Sequence, residues 1–163
     1  MSIRIIITGG TFDQHYDEIR GSLTFKDSHL PEILKFVRCS VTIELELNQL
    51  IDSLDMHQSN RLKVLESCRR AAEGQIVITH GTDTLVETAA VLGAAGLDKT
   101  IVMTGAMVPY IFNNSDAAFN LGCALGAVQL LPRGVYIAMN GRVFGWNRVR
   151  KNRELGVFEE TEG

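Results

Sequence analysis

Four short segments of this 163-residue chain gather residue types that chemistry uses: Thr8-Gly9-Gly10-Thr11, Asp52-Ser53-Leu54-Asp55-Met56, His80-Gly81-Thr82-Asp83-Thr84 and Thr104-Gly105-Ala106-Met107. The first, third and fourth follow apolar, largely β-branched runs. A threonine hydroxyl is a weak nucleophile until a neighbouring base or a preorganised field activates it. Thr11 and Thr82, with the carboxylate of Asp83, are the raw material for such an activated hydroxyl. Each segment also has a plainer use. Thr8–Thr11 reads as a tight glycine turn, or as an anion cradle of freed backbone N–H groups. Neither G-x-G-x-x-G nor a following Lys-Ser/Thr supports a nucleotide there. Asp83 could simply cap a helix, the commonest use of Asp at such a point.

The elements that would position these segments follow from the alternation of apolar runs with helical patterns, which predicts an α/β fold: a doubly wound, three-layer sandwich around a mainly parallel sheet. Strands are expected at Ile3–Thr8, Val41–Leu47, Ile76–Thr79, Thr100–Thr104 and Gly134–Met139. Their unbroken Ile and Val predict strands covered on both faces. Helices are expected at His29–Arg38 with Ser28 as its cap, at Ser59–Glu73 with Leu62, Leu65 and Cys68 on one face, at Thr84–Ala95, and at Ser115–Leu131 capped by Asn114 or Ser115. Ligands bind doubly wound sheets at the carboxyl ends of strands, which is where all four segments fall. The polar stretch Asp13–Asp27, with Gly21 in its middle, has no clear element and reads as a lid. From Ala117 to Leu131 the fourth helix carries no charge. A helix apolar all round must be covered all round, either within the subunit or, as we expect, by another copy in a dimer or tetramer.

Bulk properties exclude several classes. The length is that of one domain, 1–163, and 45% hydrophobic with 21% charged residues is near the globular average. A net charge of -3 with one short basic run, Arg148 to Arg153, argues against a nucleic-acid partner. Cys39, Cys68 and Cys123 are odd in number and without a C-x-x-C pair, so free thiols in a reducing compartment are expected. His15, His29, His57 and His80 lack H-E-x-x-H spacing, and no metal is expected. No apolar run reaches membrane length and the N-terminal run is too short for a signal peptide, so a cytoplasmic protein without a membrane partner is expected.

Taken together, Thr8-Gly9-Gly10-Thr11, Ile78-Thr79-His80-Gly81-Thr82-Asp83-Thr84, Gly105-Ala106-Met107-Val108-Pro109 and Phe119-Asn120-Leu121 resemble the bacterial-type L-asparaginase family. The likeness runs from Ile3 to about Arg153 and matches that family's larger, N-terminal domain, which has a flavodoxin-like fold. The resemblance implies an amidohydrolase acting on L-asparagine without a cofactor. It implies Thr11 as nucleophile, Tyr16 assisting from the lid, and Thr82, Asp83 and Lys151 as a second catalytic group. Ser53 and Asp83 would hold the substrate's α-carboxylate and α-amino groups, with Gly10, Leu54, Thr82 and Ala106 also lining its site. Lys151 is placed by the ungapped match from Val135–Met139 through the Asn140–Lys151 stretch. Read alone, Lys151 belongs to a solvated basic run with Arg148, Arg150 and Arg153, and it is the resemblance that turns the reading toward catalysis.

The sequence departs from the family in two places. Most relatives are about twice as long, and in them the smaller C-terminal domain of a neighbouring subunit contributes acidic and amide groups to the site. Either this protein works without them, as short-chain asparaginases do, or another part replaces them, with the tail residues Glu159, Glu160 and Glu162 as candidates. Leu54 stands where periplasmic-type relatives carry a glutamine that touches substrate, which predicts weaker amino-acid binding, with asparagine preferred and glutamine a poor substrate. A binding or regulatory protein that has lost turnover, and an amidohydrolase for another amide, such as the glutaminase half of an amidotransferase, are the competing readings.

Overall fold

Ile3–Gly9 forms β1, whose run of isoleucines is buried on both faces. The computed structural model describes residues 1–162. After β1 come a short hairpin of β2 (His15–Asp17) and β3 (Ser22–Thr24), then α1 (Leu30–Phe36), β4 (Ile43–Ile51), α2 (Gln58–Arg70), β5 (Gln75–Thr79), α3 (Leu85–Ala94), β6 (Thr100–Thr104), α4 (Ala117–Leu130), β7 (Gly134–Met139), β8 (Arg142–Gly145), β9 (Val149–Asn152) and β10 (Val157–Glu160). The main sheet has the order β4-β1-β5-β6-β7-β8, parallel except for β8. Its parallel strands, numbered among themselves in chain order, run 2-1-3-4-5, the flavodoxin-like doubly wound order, with the topological switch between β1 and β5.

Two cores lie on the two faces. Ile6, Ile76, Ile78, Ile101, Met103 and Ile137 pack under α2 and α3. Ile3, Ile5, Ile7, Val77 and Val102 pack under α1 and α4. Neighbouring residues of one strand therefore serve opposite cores, so a one-residue slip would exchange every contact. A side chain of this size contributes about 1.5–3 kcal/mol when buried, which pins the register.

Several expectations are corrected. The stretch from Asp13 to Asp27 is not a featureless loop but holds the β2–β3 hairpin, with His15 opposite Thr24. α2 ends at Arg70 with Ala71 as its C-cap, short of Gly74, and its buried apolar face is Val64, Leu65 and Cys68; Leu62 points outward at 48% exposure. β4 runs on to Ile51, and as an edge strand it is not covered on both faces, with Leu47 59% exposed. α4 starts after Asp116 rather than Asn114. Its buried face, including Asn120, Leu121 and Ala124, packs on the sheet, while Phe119 and Leu130 on the other side are exposed, so among the described residues no second element sandwiches it. β8, β9 and β10 add to the expected strands. The turn between β7 and β8 is Asn140-Gly141, both at positive φ (57° and 75°), the dipeptide that two-residue hairpin turns favour. Of the cysteines, Cys68 is buried and Cys39 and Cys123 only partly so, and all are free. No described helix is long and apolar enough to cross a membrane.

Candidate active site

The four chemically loaded segments meet at one point, the backbone of His80-Gly81-Thr82 beyond the end of β5. Thr8 Oγ1 donates to the Thr79 carbonyl (2.8 Å), tying the ends of β1 and β5 together. Gly9 and Gly10 both have positive φ (97° and 71°), and a Cβ on Gly10 would collide with the Gly81 backbone. The two turns are therefore in direct backbone contact. Thr11 and Thr82 directly follow these two touching glycines in the chain. From the third side, Ser53 Oγ would lie 2.6 Å from a Cβ on Gly81; from the fourth, the His80 carbonyl would collide with one on Gly105. Glycine is required here because the strands' turns interlock backbone to backbone.

Lys151 arrives from 69 residues away. It projects from β9, which pairs with β10 and is held to the core by buried Val149 and Phe158. Its Nζ donates to Thr82 Oγ1 (2.8 Å) and to Asp83 Oδ1 (2.9 Å), with the lysine side chain only 10% exposed. Asp83 does not cap α3: its carboxylate is taken by Lys151 and by Arg153, whose Nη1 lies 2.5 Å from the same oxygen while Nη2 donates to the Asp83 carbonyl. The first turn of α3 is served instead by Ser53, whose Oγ accepts from Thr84 N (3.2 Å) while Thr84 Oγ1 donates to the Ser53 carbonyl. The hydrogen bond from Lys151 does most to hold Asp83 below the usual carboxylate range, against the burial that raises it and with help from Arg153. Asp83 is thus a carboxylate at neutral pH.

Two of the three arginines near Lys151 in the chain carry acidic partners of their own. Arg150 pairs with Glu159 (2.7 Å) and Arg153 with Asp83. That pairing also occupies the tail: Glu159 accepts from Arg150 and Asn152, and Glu160 lies 4.0 Å from Arg142, so these carboxylates serve the β9–β10 hairpin and β8. Arg153 is absent from the sequence-based site, since nothing in its spacing distinguishes it from the other arginines of the run. Asp116 is absent from it too. Its carboxylate accepts from Met107 N and Val108 N, and Asn120 Nδ2 donates to the Gly105 carbonyl (2.9 Å), so α4 fixes the turn after β6.

Not every expected residue faces this point in the same way. Ser53 is buried, with its Oγ against Gly81. Leu54 stands on the rim, 65% exposed. The Ala106 side chain is in the core under α4, so only its backbone is available at the strand end. Tyr16, in β2, is 55% exposed with its hydroxyl beside Gly21 at the hairpin turn, and among the described residues no hydrogen bond joins it to Thr11. The base of that hairpin is closed by Asp13 Oδ1, which accepts from Ser28 Oγ and His29 N, both at 2.9 Å. Burial raises the Asp13 carboxyl above its ordinary value, opposed by those same donors. Among the described residues, no group of His, Cys, Asp and Glu side chains is arranged to hold a metal ion.

Comparison with known proteins gives a consistent result. The family described as "Asparaginase, N-terminal" matches residues 2–158. L-asparaginase 1 of Escherichia coli is 31% identical over 160 residues, covering 92% of this chain and 47% of that protein. A component of the Glutamyl-tRNA(Gln) amidotransferase of Archaeoglobus fulgidus is 32% identical over 148 residues, covering 85% and 34%. Among solved structures, the thermostable L-asparaginase of Thermococcus kodakarensis superposes with a TM-score of 0.85 at 28% identity, over 98% of this chain and 51% of that one. The chain thus spans about half or less of these relatives' length. With β1 and β5 meeting at the turn that carries Thr11 and Thr82, and with the match running almost from end to end, this chain belongs to the asparaginase family, as a counterpart of its N-terminal domain.

Proposed function

We propose that this one domain, residues 1–163, hydrolyses L-asparagine to L-aspartate and ammonia through a threonine ester, with glutamine a poor substrate. The observation that supports it most is the pair of hydrogen bonds from Lys151 to Thr82 and Asp83, three groups from two distant segments beside the turn that carries Thr11. In this scheme Thr11 Oγ attacks the side-chain amide carbon, its proton passes to the leaving nitrogen, and ammonia departs from a tetrahedral intermediate. Water activated by Thr82, with Lys151 and Asp83 behind it, then cleaves the β-aspartyl ester and restores the hydroxyl. Among the described residues no acceptor takes the backbone N–H of Thr11 or of Thr82, and such free donors can hold the oxyanion. Ser53 keeps its hydroxyl proton for the α-carboxylate, because its oxygen accepts from Thr84. Asp83 uses its second oxygen for the α-ammonium. Tyr16 assists once the β2–β3 hairpin closes over Thr11; Gly10, Leu54 and the Ala106 backbone complete the walls. The scheme requires no cofactor and no metal.

Ammonia release by the purified protein tests this. kcat/KM for L-asparagine is expected to exceed that for L-glutamine by about tenfold or more, as one methylene in a shaped pocket is worth roughly 10- to 200-fold. Equal values would remove the asparagine preference. No ammonia from either amide would remove the hydrolase reading and leave a binding or regulatory protein. The likeness to the archaeal amidotransferase component supports a second reading, an ammonia-producing half of a larger enzyme; glutamine turnover that appears only with a copurifying partner would favour it.

The cytoplasm is the compartment we propose, in keeping with three free cysteines. A homo-oligomer, dimer or tetramer, would cover Phe119 and Leu130 on the outer side of α4. A monomer mass by light scattering would exclude it.

A further inference from the structure

His80 is fully buried, yet the scheme above gives it no chemical step. Its ring makes two short hydrogen bonds: Nδ1 lies 2.7 Å from the Gly81 carbonyl and Nε2 lies 2.7 Å from Thr88 Oγ1 on α3. A carbonyl oxygen can only accept, so Nδ1 carries the proton. Nε2 is then the acceptor, and the Thr88 hydroxyl donates to it. The tautomer is set by the partners on each side.

The Gly81–Thr82 peptide is trans, as no cis bond occurs among the described residues. In a trans peptide the carbonyl and the next N–H point in opposite directions. Holding the Gly81 carbonyl toward the imidazole therefore turns the Thr82 N–H away from it, to the side where no protein acceptor waits. Gly81 would otherwise be free to rotate that peptide plane, having no Cβ to restrict it. The backbone before it is already clamped, with His80 N donating to the Thr104 carbonyl (2.9 Å).

We propose that His80 is a positioning residue: its Nδ1–H bond to the Gly81 carbonyl aims the Thr82 N–H at the oxyanion, an inference that rests on the hydrolase reading. An imidazole suits the task because it is rigid, donates on one side and is held on the other by a helix. It also stays neutral: burial, assisted by the Arg61 charge and opposed by the bond to Gly81, pushes its pKa down to about 4.

The test compares two amides of similar size. His80→Asn places an N–H where Nδ1 stood, whereas His80→Gln places it at the Nε2 position. His80→Asn is expected to keep kcat within about threefold of wild type, and His80→Gln to lose about 100-fold or more, the scale on which loss of one oxyanion donor acts, with KM changed by less than about threefold. Equal losses in kcat, or a rise in KM with kcat preserved, would overturn the proposal. A second readout needs neither turnover nor a folded variant: ¹⁵N NMR of the wild-type imidazole should show Nδ1 protonated and Nε2 bare from about pH 5 to about pH 8. A protonated Nε2 there would overturn the assignment even if the protein hydrolyses asparagine. The expected tautomer in a protein that releases no ammonia would sink the hydrolase reading while leaving the peptide orientation standing.

Discussion

Thr11→Val is expected to abolish ammonia release, lowering kcat by about 10⁴-fold or more, while leaving the fold intact. Removing a nucleophile leaves only binding and oxyanion stabilisation, and in an enzyme of this kind that residual lies about four to six powers of ten below the whole. The structure makes the substitution unusually clean. Valine replaces the hydroxyl with a methyl group of nearly the same volume, and among the described residues the Thr11 side chain makes no hydrogen bond that would be lost. The strained part of the turn belongs to Gly9 and Gly10, which are untouched. The melting temperature should therefore move by less than about 4 °C, the shift that 1 kcal/mol gives in a domain of this size. Steady-state ammonia release and thermal unfolding on the same preparation check both halves. Retained activity within about tenfold would show that another group attacks the amide.

Lys151→Met is expected to lower kcat by about 10³-fold, within the range for loss of a positioned acid or base. Methionine keeps the length of the side chain and its apolar stem, so the β9–β10 hairpin should persist. The Thr82 hydroxyl loses its donor, and Asp83 is left to Arg153. Lys151→Arg should not rescue, because a planar guanidinium cannot place one donor between Thr82 Oγ1 and Asp83 Oδ1 as the ammonium does. The double variant with Thr11→Val should be no slower than Thr11→Val alone, since residues acting as a unit are not additive. Steady-state ammonia assays of the three proteins decide it. If Lys151→Met retained wild-type kcat, the contact with Thr82 and Asp83 would be a structural ion pair only.

The carboxyl ends of the parallel strands were legible because they carry two signals at once. The β-branched runs of β1, β5 and β6 mark doubly covered strands, and the glycine and hydroxyl residues that follow mark turns where side chains of ordinary size do not fit. Lys151 was placed only through family likeness. Its local neighbourhood reads as a basic surface run, and nothing in the order Val149-Arg150-Lys151-Asn152 says which side chain turns inward. The Asn140-Gly141 hairpin was readable from its turn chemistry, and recognising it would have shown that the chain reverses there before reaching Lys151. The outward turn of Leu62 and the early end of α2 were hidden, because three apolar residues at helical spacing define a face only to within about one residue's rotation.

What the sequence determined by itself is therefore the α/β class, the strands that carry the site and the residue types at their ends, all of which follow from local periodicity and backbone sterics. What only the tertiary structure decided is partnership. Asp83 is released from capping by Ser53, which serves the first turn of α3 in its place. Of the arginines near Lys151, Arg153 is paired with Asp83 and Arg150 with Glu159, which takes that tail carboxylate. His80 is locked between Gly81 and Thr88. These outcomes are competitions among donors and acceptors far apart in the chain, and a short sequence window holds only one side of each.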